Sequence, residues 1–333
     1  MGVVMLKSLA LKVPQIKQLW DDRTDLLAER DMLLNKIAAG VVGKNPFLNY
    51  ESTFDAIEVM KRHARNDLSP LPGRQTNFLG VKIDPRFFPG ILDNAAGTVE
   101  GIPIPANWHA DIAEWAAALR AVDLARDTFR VIELGCGWGC WLINTGTAAR
   151  SAGLSVEMIG VEGDQGHVEF AHQAMEDNDF SDKEYRVIHG IAAAQNGKAL
   201  FPVVENSGAT WGSEPVLDAS AAQIAEAEKT GGYAVLDTFP ISEIADGRPV
   251  DLLHIDIQGG EADFVKSSMD DLLKYVRYVV IGTHSRAIEG RLMESMLSAG
   301  WYLEMERAAI IGIADGRPAV TVDGVQGWRN PQL

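Results

Sequence analysis

The sequence predicts a doubly wound α/β fold, and two observations lead to that class. From residue 129 onward, short apolar runs alternate with amphipathic stretches, a pattern typical of a parallel sheet covered by helices on both faces. The first apolar run leads into a glycine-rich turn and then a helix, which is where open α/β sheets bind ligands. The predicted strands are 130–134, 155–162, 185–193, 251–257 and 276–284, and the predicted helices are 109–122, 141–152, 165–178, 261–268 and 291–300.

The C-terminal segment has a different pattern. Residues 301–306 and 308–314 are predicted strands, and Asp315-Gly316 is a hairpin turn signal before a further strand at 317–322. We therefore expect an antiparallel hairpin to close the parallel sheet.

Charge and composition narrow the class of function. The 333 residues include 46 acidic and 30 basic side chains, and the formal net charge of −16 repels phosphate backbones and anionic lipid surfaces. Nucleic acid is therefore not an expected partner. No apolar run approaches the ~18 residues of a membrane span, and polar residues interrupt the N-terminus before a signal core forms. Two cysteines, Cys136 and Cys140, are too few for a disulfide framework or a four-ligand zinc site, which favours a cytoplasmic location.

Two regions precede the α/β repeat. Residues 15–39 have apolar side chains at alternating three- and four-residue steps, so we predict an amphipathic, coiled-coil-like helix within an N-terminal region 1–45. This helix either packs on its own domain or serves as a dimerising or partner-binding helix, and a homodimer through it is one expectation. Residues 46–107 carry many turn signals and one predicted helix at 50–64, which indicates an accessory cap on the substrate side. The catalytic domain is then predicted to span 108–333.

The glycine-rich turn contains Glu133, Gly135, Gly137, Trp138 and Gly139. Glycines let a ligand approach the main chain closely. A dinucleotide fold would place its third glycine one position later, where this chain has a cysteine, and an acid at the start of the turn would repel a diphosphate. An acid suits a ligand whose nearby end is cationic, such as the ammonium and sulfonium of S-adenosylmethionine. The turn therefore predicts that compound as the cofactor.

The next two predicted strands supply further cofactor contacts. Glu162 ends the second strand, where a carboxylate can bind ribose hydroxyls in folds of this type. Ile191 lies in the segment 189–192 of the third predicted strand, which we place along the adenine by analogy.

The ends of the fourth and fifth strands supply candidate catalytic side chains, Asp256, Glu261 and His284. A carboxylate and a histidine at the rim of a crevice are candidates for the base that takes a proton from a substrate hydroxyl. Asp256 is also expected to contact the cofactor. The same three side chains could instead bind a divalent metal, and their spacing leaves that question open. Alternation puts His254 on the same side of its strand as Asp256, but a structural role is the expected one for it.

Candidate substrate contacts come from loops. Trp108, His109 and Trp211 lie in predicted loops on the substrate side, and aromatic faces suit sugar rings. Arg286, directly after the fifth predicted strand, is a further candidate. The expected partner is thus a small-molecule or glycan acceptor.

Over residues 108–301 the sequence resembles the FkbM-type family of S-adenosylmethionine-dependent methyltransferases. The shared features are the turn at 133–139, the strand end at 161–162, and the stretch 235–239 followed by 251–261. Family members typically carry the sequence Asp-x-Glu-Gly-x-Glu where this chain has residues 256–261. This chain keeps the first and last acids but has Gln258 where the family has its middle acid.

The resemblance implies the seven-stranded Rossmann-like sheet of class I methyltransferases, S-adenosylmethionine as cofactor, and O-methylation of a hydroxyl on a sugar, a glycan or a secondary metabolite. Two alternatives stay open. A scaffold that binds the cofactor without transferring its methyl group is compatible with Gln258. An NAD(P)-dependent oxidoreductase would use the same type of sheet, but the missing third glycine argues against it.

Overall fold

The structure is a computed structural model that describes residue 17 and residues 45–333. The helix predicted at 15–39, and with it the homodimer hypothesis, lies outside the described residues except for Lys17. Residues 50–333 form one compact unit, and the predicted boundary at residue 107 stays a prediction. None of the described helices is long and apolar enough to cross a membrane.

Fifteen strands and nine α-helices make up the described part of the chain. The strands are β1 Glu51–Ser52, β2 Gln75–Thr76, β3 Lys82–Ile83, β4 Thr128–Leu134, β5 Ser155–Glu162, β6 Tyr185–His189, β7 Ile191–Ala192, β8 Gly197–Pro202, β9 Tyr233–Phe239, β10 Leu252–Ile255, β11 Tyr278–Thr283, β12 Tyr302–Arg307, β13 Ile310–Ala314, β14 Arg317–Val322 and β15 Gly324–Arg329. The helices are α1 Ala56–His63, α2 Ile112–Leu124, α3 Cys140–Ser151, α4 Gln165–Asp177, α5 Ala221–Thr230, α6 Ile241–Ile244, α7 Glu261–Ser267, α8 Met269–Tyr275 and α9 Arg286–Ser298.

The central sheet has eight strands in the order β1-β12-β15-β11-β10-β4-β5-β6. β4, β5, β6, β10 and β11 pair in parallel, whereas β15 is antiparallel to both β11 and β12. Without the two-residue edge strand β1, this is the predicted seven-stranded class I sheet. The direction of strand addition reverses between β4 and β10, and ligands bind at such a switch point in open α/β sheets.

Alternating side chains divide the core between the two faces of the sheet. Phe129 and Val131 of β4 pack in one core with residues of α2 and α3. Ile132 and Leu134 pack in the opposite core with residues of α6, α7, α8 and α9. Because successive side chains of a strand point to opposite faces, this division confirms the doubly wound fold.

Capping side chains determine where the helices begin. Asp111 accepts hydrogen bonds from the backbone N–H groups of Ala113 and Glu114, so α2 begins at residue 112 and not at 109. Ser285 caps α9 in the same way, and this helix begins five residues before its predicted start. The helix predicted at 50–64 is shorter, because Asp55 caps its first turn.

The expectation for the C-terminal hairpin is partly wrong. Asp315-Gly316 does turn β13 into β14, but these strands form a separate two-stranded sheet. The strand that closes the central sheet is β15, which the sequence pattern did not reveal. Its two glycines weaken the strand signal, yet they are required by packing. A Cβ at Gly327 would stand 3.1 Å from the Cβ of Met305 on β12.

The strand predicted at 185–193 is also interrupted. It breaks at Gly190, where a Cβ would stand 2.6 Å from the ring of Phe239. The chain then leaves the central sheet, and β7 joins a three-stranded sheet of order β7-β9-β8. This small sheet lies over the C-terminal end of the central sheet, because Ile191 and Phe201 both line the cavity described below.

Trp328 tests how strongly β15 holds the sheet together. Its side chain is completely buried in the core that faces α6 to α9. We expect Trp328→Ala to lower the free energy of unfolding by about 3–5 kcal/mol, because it leaves a cavity in that core. Urea denaturation measures this change. Ile313→Ala is the control: the side chain is 83% exposed on the separate hairpin, so its effect should stay within about 0.5 kcal/mol. Equal losses of unfolding free energy in the two variants would contradict the structural importance of β15 for the central sheet.

Candidate active site

A cavity of about 1160 Å³ opens at the C-terminal ends of β4, β5 and β10. Nine of the predicted site residues line it: Glu133, Gly135, Gly137, Trp138, Glu162, Ile191, Asp256, His109 and Trp211. The position agrees with the switch point of the sheet. Most of the predicted cofactor and substrate residues are thus brought together.

The glycine turn has the geometry that the sequence predicted. Gly135, Gly137 and Gly139 all have positive φ, of 71°, 52° and 79°. A Cβ at Gly135 would collide with the carbonyl oxygen of Asp256, and one at Gly137 would stand 2.8 Å from the ring of Trp211. Side chains are therefore excluded where the turn borders the cavity, and main-chain groups are left to contact a ligand.

Glu133 is a buried acid whose partners are backbone N–H groups. Its carboxylate accepts hydrogen bonds from the N–H of Trp141 at 3.2 Å and of Leu142 at 3.1 Å, in the first turn of α3. No basic side chain of the described residues lies within ion-pair distance of it. Burial raises the pKa of Glu133 to about 8, because its charge is only partly compensated. Below about pH 8 the side chain is therefore mostly protonated in the free protein, and a cation bound in the cavity would favour its ionised form.

Glu162 holds the glycine turn against the end of β5. One carboxylate oxygen accepts the N–H of Gly137 at 2.8 Å, and the other accepts the N–H of Asp164 at 2.8 Å. His167 Nδ1 lies 3.9 Å from the second oxygen. Each oxygen keeps a further lone pair for a ligand hydroxyl. The residue therefore orders the turn and is also available to a ribose.

Asp256, His284 and Glu261 form an ionic triad at the ends of β10 and β11. His284 Nε2 lies 3.3 Å from Asp256 Oδ1, and His284 Nδ1 lies 2.9 Å from Glu261 Oε1. Asp256 lines the cavity and keeps a side-chain exposure of 41%, whereas Glu261 is completely buried. Glu261 also accepts the backbone N–H groups of Ile257 and Gly259, which closes the turn after Asp256.

The triad contains a protonated imidazole at neutral pH. Burial acts against the charged form, but the contacts with both carboxylates outweigh it and raise the pKa of His284 to about 10. Burial likewise acts to raise the pKa of Asp256, yet the hydrogen bond from His284 holds it below its usual value. Of the three side chains of the triad, Asp256 is the one that lines the cavity, and its ionised carboxylate can accept a proton there at neutral pH. The ligand atoms of the three residues lie within 4.8 Å of one another, so a divalent ion could also be accommodated.

The segment after Asp256 shows what replaces the family's middle acid. Gln258 has a positive φ of 59°, and its amide nitrogen donates to Asp256 Oδ1 at 2.7 Å. A carboxylate is thus replaced by a hydrogen-bond donor next to Asp256.

The predicted substrate residues differ in whether they reach the cavity. Trp211 lies flat between the rings of Phe88 and His167, with centroid distances of 4.3 and 4.0 Å, and forms part of the cavity wall. Trp108 packs behind this wall against Phe88. Arg286 is exposed at the start of α9, where it faces Glu289 at 3.7 Å, and is not part of the cavity lining.

The structure adds a largely buried pair, in which the histidine was expected to be structural and the acid was not identified from the sequence. His254 Nε2 lies 3.0 Å from Glu114 Oε1 of α2, and His254 lines the cavity. Its register partner across the sheet is Glu133 on β4. The alternation along β10 indicated the direction of His254, but no local pattern connects it with Glu114, which lies 140 positions earlier.

A second unexpected pair joins the loop before α2 to the start of α3. His109 Nε2 lies 2.6 Å from Cys140 Sγ, and Asn144 Nδ2 donates to the same sulfur at 3.2 Å. Burial lowers the pKa of His109 to about 4 and raises that of the Cys140 thiol well above its usual value. Both groups are therefore neutral, and the pair packs the cavity wall without adding charge to it.

The glycine turn gives a direct test of close approach to the main chain. Gly135→Ala and Gly153→Ala both place a Cβ on a residue with positive φ, but only Gly135 has a neighbour in the way. Gly153→Ala should cost about 1–2 kcal/mol of unfolding free energy through its backbone conformation alone. Gly135→Ala should cost clearly more, because the carbonyl of Asp256 must also move. Equal losses in urea denaturation would show that the turn tolerates a side chain.

Comparison with known proteins agrees with this geometry. The family model of the FkbM methyltransferase domain matches residues 125–300. A protein of Jannaschia sp. (strain CCS1), named "Putative methyltransferase", is 45% identical over 274 residues, which cover 82% of this chain and 98% of that protein.

Two solved structures are also similar. The crystal structure of methyltransferase FkbM from Methylobacillus flagellatus KT is 12% identical, with 65% of this chain and 54% of that chain covered and a TM-score of 0.40. The precorrin-6Y C5,15-methyltransferase of Geobacter metallireducens GS-15 is 9% identical, with 64% and 86% covered and a TM-score of 0.35. Because both scores are low, the assignment depends on the family model and on the Jannaschia relative, and these two together show that the chain belongs to the FkbM methyltransferase family.

Proposed function

We propose that this methyltransferase transfers the methyl group of S-adenosylmethionine to a hydroxyl oxygen of a sugar, a glycan or a secondary metabolite. The observation that carries the proposal is the position of Glu133, a buried and incompletely compensated acid, beside a glycine turn from which side chains are excluded. Such a place suits a cationic ligand that lies against the main chain.

The residues at the cavity fit this cofactor in both shape and charge. Gly135 and Gly137 line the cavity, and the carbonyl of Asp256 and the ring of Trp211 leave no room for a side chain at either position, so the turn presents main-chain groups there. Glu133 would hold the cationic amino-acid end, Glu162 would bind the ribose hydroxyls, and the apolar side chain of Ile191 would lie along the adenine. A diphosphate would meet two buried acids there, which is unfavourable.

Charge compensation separates Glu133 from the other acids at the cavity. Asp256 and Glu261 share His284, and Glu114 has His254. Glu133 has two N–H groups of α3 and the nearby His254, which is already paired with Glu114, and it has no ion pair of its own among the described residues. The ammonium of the cofactor is the type of charge that this acid lacks.

When bound, the cofactor supplies a methyl group already activated by a sulfonium, so the chain mainly has to orient the acceptor and remove its proton. Asp256 is the proton acceptor in this proposal, because it is ionised and faces the cavity. His284 is already protonated, so it orients Asp256 and stabilises its charge but does not act as the base. Glu261 anchors His284 from the buried side.

Cofactor identity can be tested by calorimetry. The wild-type protein should bind S-adenosylmethionine and not a nicotinamide dinucleotide. Glu133→Gln should weaken binding by at least about 30-fold, because the ligand loses a buried charge partner. Asp251→Asn is a matched control, since Asp251 is a buried acid at the other end of β10 that contacts Arg130 and Arg277. Binding of the dinucleotide alone would refute the proposal.

The role of Asp256 can be tested by turnover with a hydroxyl acceptor, detected as methylated product by mass spectrometry. Asp256→Asn should lower kcat by about 10²- to 10⁴-fold, the usual contribution of a general base. The Asp251→Asn variant should keep wild-type turnover. If Asp256→Asn retains full turnover with unchanged cofactor affinity, another group takes the proton. A protein that binds the cofactor but methylates no hydroxyl would instead favour the non-catalytic scaffold.

A further inference from the structure

His254 lines the cavity. Its Nε2 contacts Glu114, and its Nδ1 has no hydrogen-bond partner among the described residues. We propose that His254, oriented by Glu114, binds a second hydroxyl of the acceptor, next to the hydroxyl that is methylated. The acceptor would therefore be a vicinal diol or a larger polyol. The inference rests on the proposed function and specifies which hydroxyl compounds fit the site.

Two contacts hold the imidazole in one orientation. Nε2 lies 3.0 Å from Glu114 Oε1, and the ring stacks on Trp141 with a centroid distance of 5.3 Å and an interplanar angle of 29°. Because the two nitrogens of an imidazole point in different directions, Nδ1 cannot reach the same carboxylate. His254 is only 1% exposed, and a buried polar atom without a partner costs about 1–3 kcal/mol. Nδ1 itself is sealed from solvent, so a ligand oxygen removes that cost by contacting it where the adjoining cavity wall shifts to admit the ligand.

The position along β10 relates His254 to the reacting group. His254 and Asp256 are two residues apart, so they face the same side of the sheet at a spacing of about 6.6 Å. The backbone N–H of Asp256 still donates to Leu134 on β4, so the chain is extended at this point. An acceptor with its reacting hydroxyl at Asp256 thus places an adjacent substituent towards His254.

The acids around His254 favour a neutral oxygen as the ligand atom that contacts Nδ1. Glu133 is the register neighbour of His254, Glu114 is its partner, and Asp256 follows on the same face. These three acids disfavour a carboxylate or phosphate on the acceptor. A hydroxyl can donate to Nδ1 or accept from it, so it suits either protonation state of the ring.

The expected preference follows from the missing hydrogen bond. An acceptor without the second hydroxyl would leave Nδ1 unpaired, and a loss of about 1–3 kcal/mol corresponds to a roughly 5- to 150-fold lower kcat/KM. The experiment uses methyl hexopyranosides as acceptors, with the methylated position mapped by mass spectrometry. Each substrate is then compared with its analogue that is deoxygenated at the adjacent carbon. The preference ratio is kcat/KM for the diol divided by that for the deoxy analogue.

The variant Glu114→Leu with His254→Phe replaces the pair by apolar side chains and leaves no buried charge unpaired. We expect its preference ratio to fall to about one, whereas general damage to the fold would lower both rates together. Glu114→Gln, which keeps a hydrogen-bonding partner for Nε2, should retain part of the preference and serves if the double variant does not fold. The control is His63→Phe with Asp123→Leu, a part-buried pair at 3.0 Å that involves the other end of α2 and whose acid also pairs with the exposed Arg62.

The outcomes distinguish this inference from the proposed function. A wild-type ratio near one, or a ratio unchanged in the Glu114 and His254 variants, overturns the inference even when hydroxyl methylation is observed. A ratio lost equally in the control pair overturns it too, since the effect would then be structural. If no hexopyranoside is methylated although the cofactor binds, simple sugars are excluded as acceptors and the inference fails with them, whereas the proposed function then depends on glycans or secondary metabolites.

Discussion

Compensation of buried negative charge is the constraint on which the C-terminal edge of this sheet depends. Several carboxylates lie at or next to this edge, and burying one of them without a partner would cost several kcal/mol. Imidazoles face four of them: His254 beside Glu114, His167 near Glu162, and His284 between Asp256 and Glu261. Glu133 has no ion pair among the described residues, and its hydrogen bonds come from the start of a helix, where N–H groups carry partial positive charge. The distribution of these partners determines which ligand charge the site favours.

The same constraint links the fold to the chemistry. Strands β4 and β10 are neighbours because the chain reverses its direction of strand addition between them, and this places Glu133, His254 and Asp256 on one face. Helix α2 then brings Glu114 from outside the repeating α/β region. A glycine turn alone would bind many ligands, whereas a glycine turn bordered by paired and incompletely paired acids discriminates between them. Ligand selectivity at this site therefore depends on side chains of β4, β10 and α2 together, and not on the glycine turn alone.

Much of the fold and of the cofactor site could be predicted from local sequence patterns. The glycine turn, the acid at the end of β5 and the acid after β10 are each recognisable from a few neighbouring residues, because strand ends and turns have local signatures. The strand β15 was missed, since its glycines are required by contacts with distant residues and not by local preference. The small sheet of β7, β8 and β9 was missed because a single glycine redirects an apparently continuous strand. The pairs of His254 with Glu114 and of His109 with Cys140 depend on tertiary contacts that no short-range pattern encodes.

Gln258 changes the proton affinity of the site as a whole. Where relatives typically carry a third carboxylate, this chain places an amide that donates to Asp256. A carboxylate there would repel the charge of Asp256 and make it a stronger base, whereas the amide makes it a weaker one that stays ionised in more acidic surroundings. In the proposed mechanism, this exchange trades basicity for a wider pH range over which Asp256 can accept the proton. Such an exchange suits a reaction in which the leaving group, and not the removal of the proton, supplies most of the driving force.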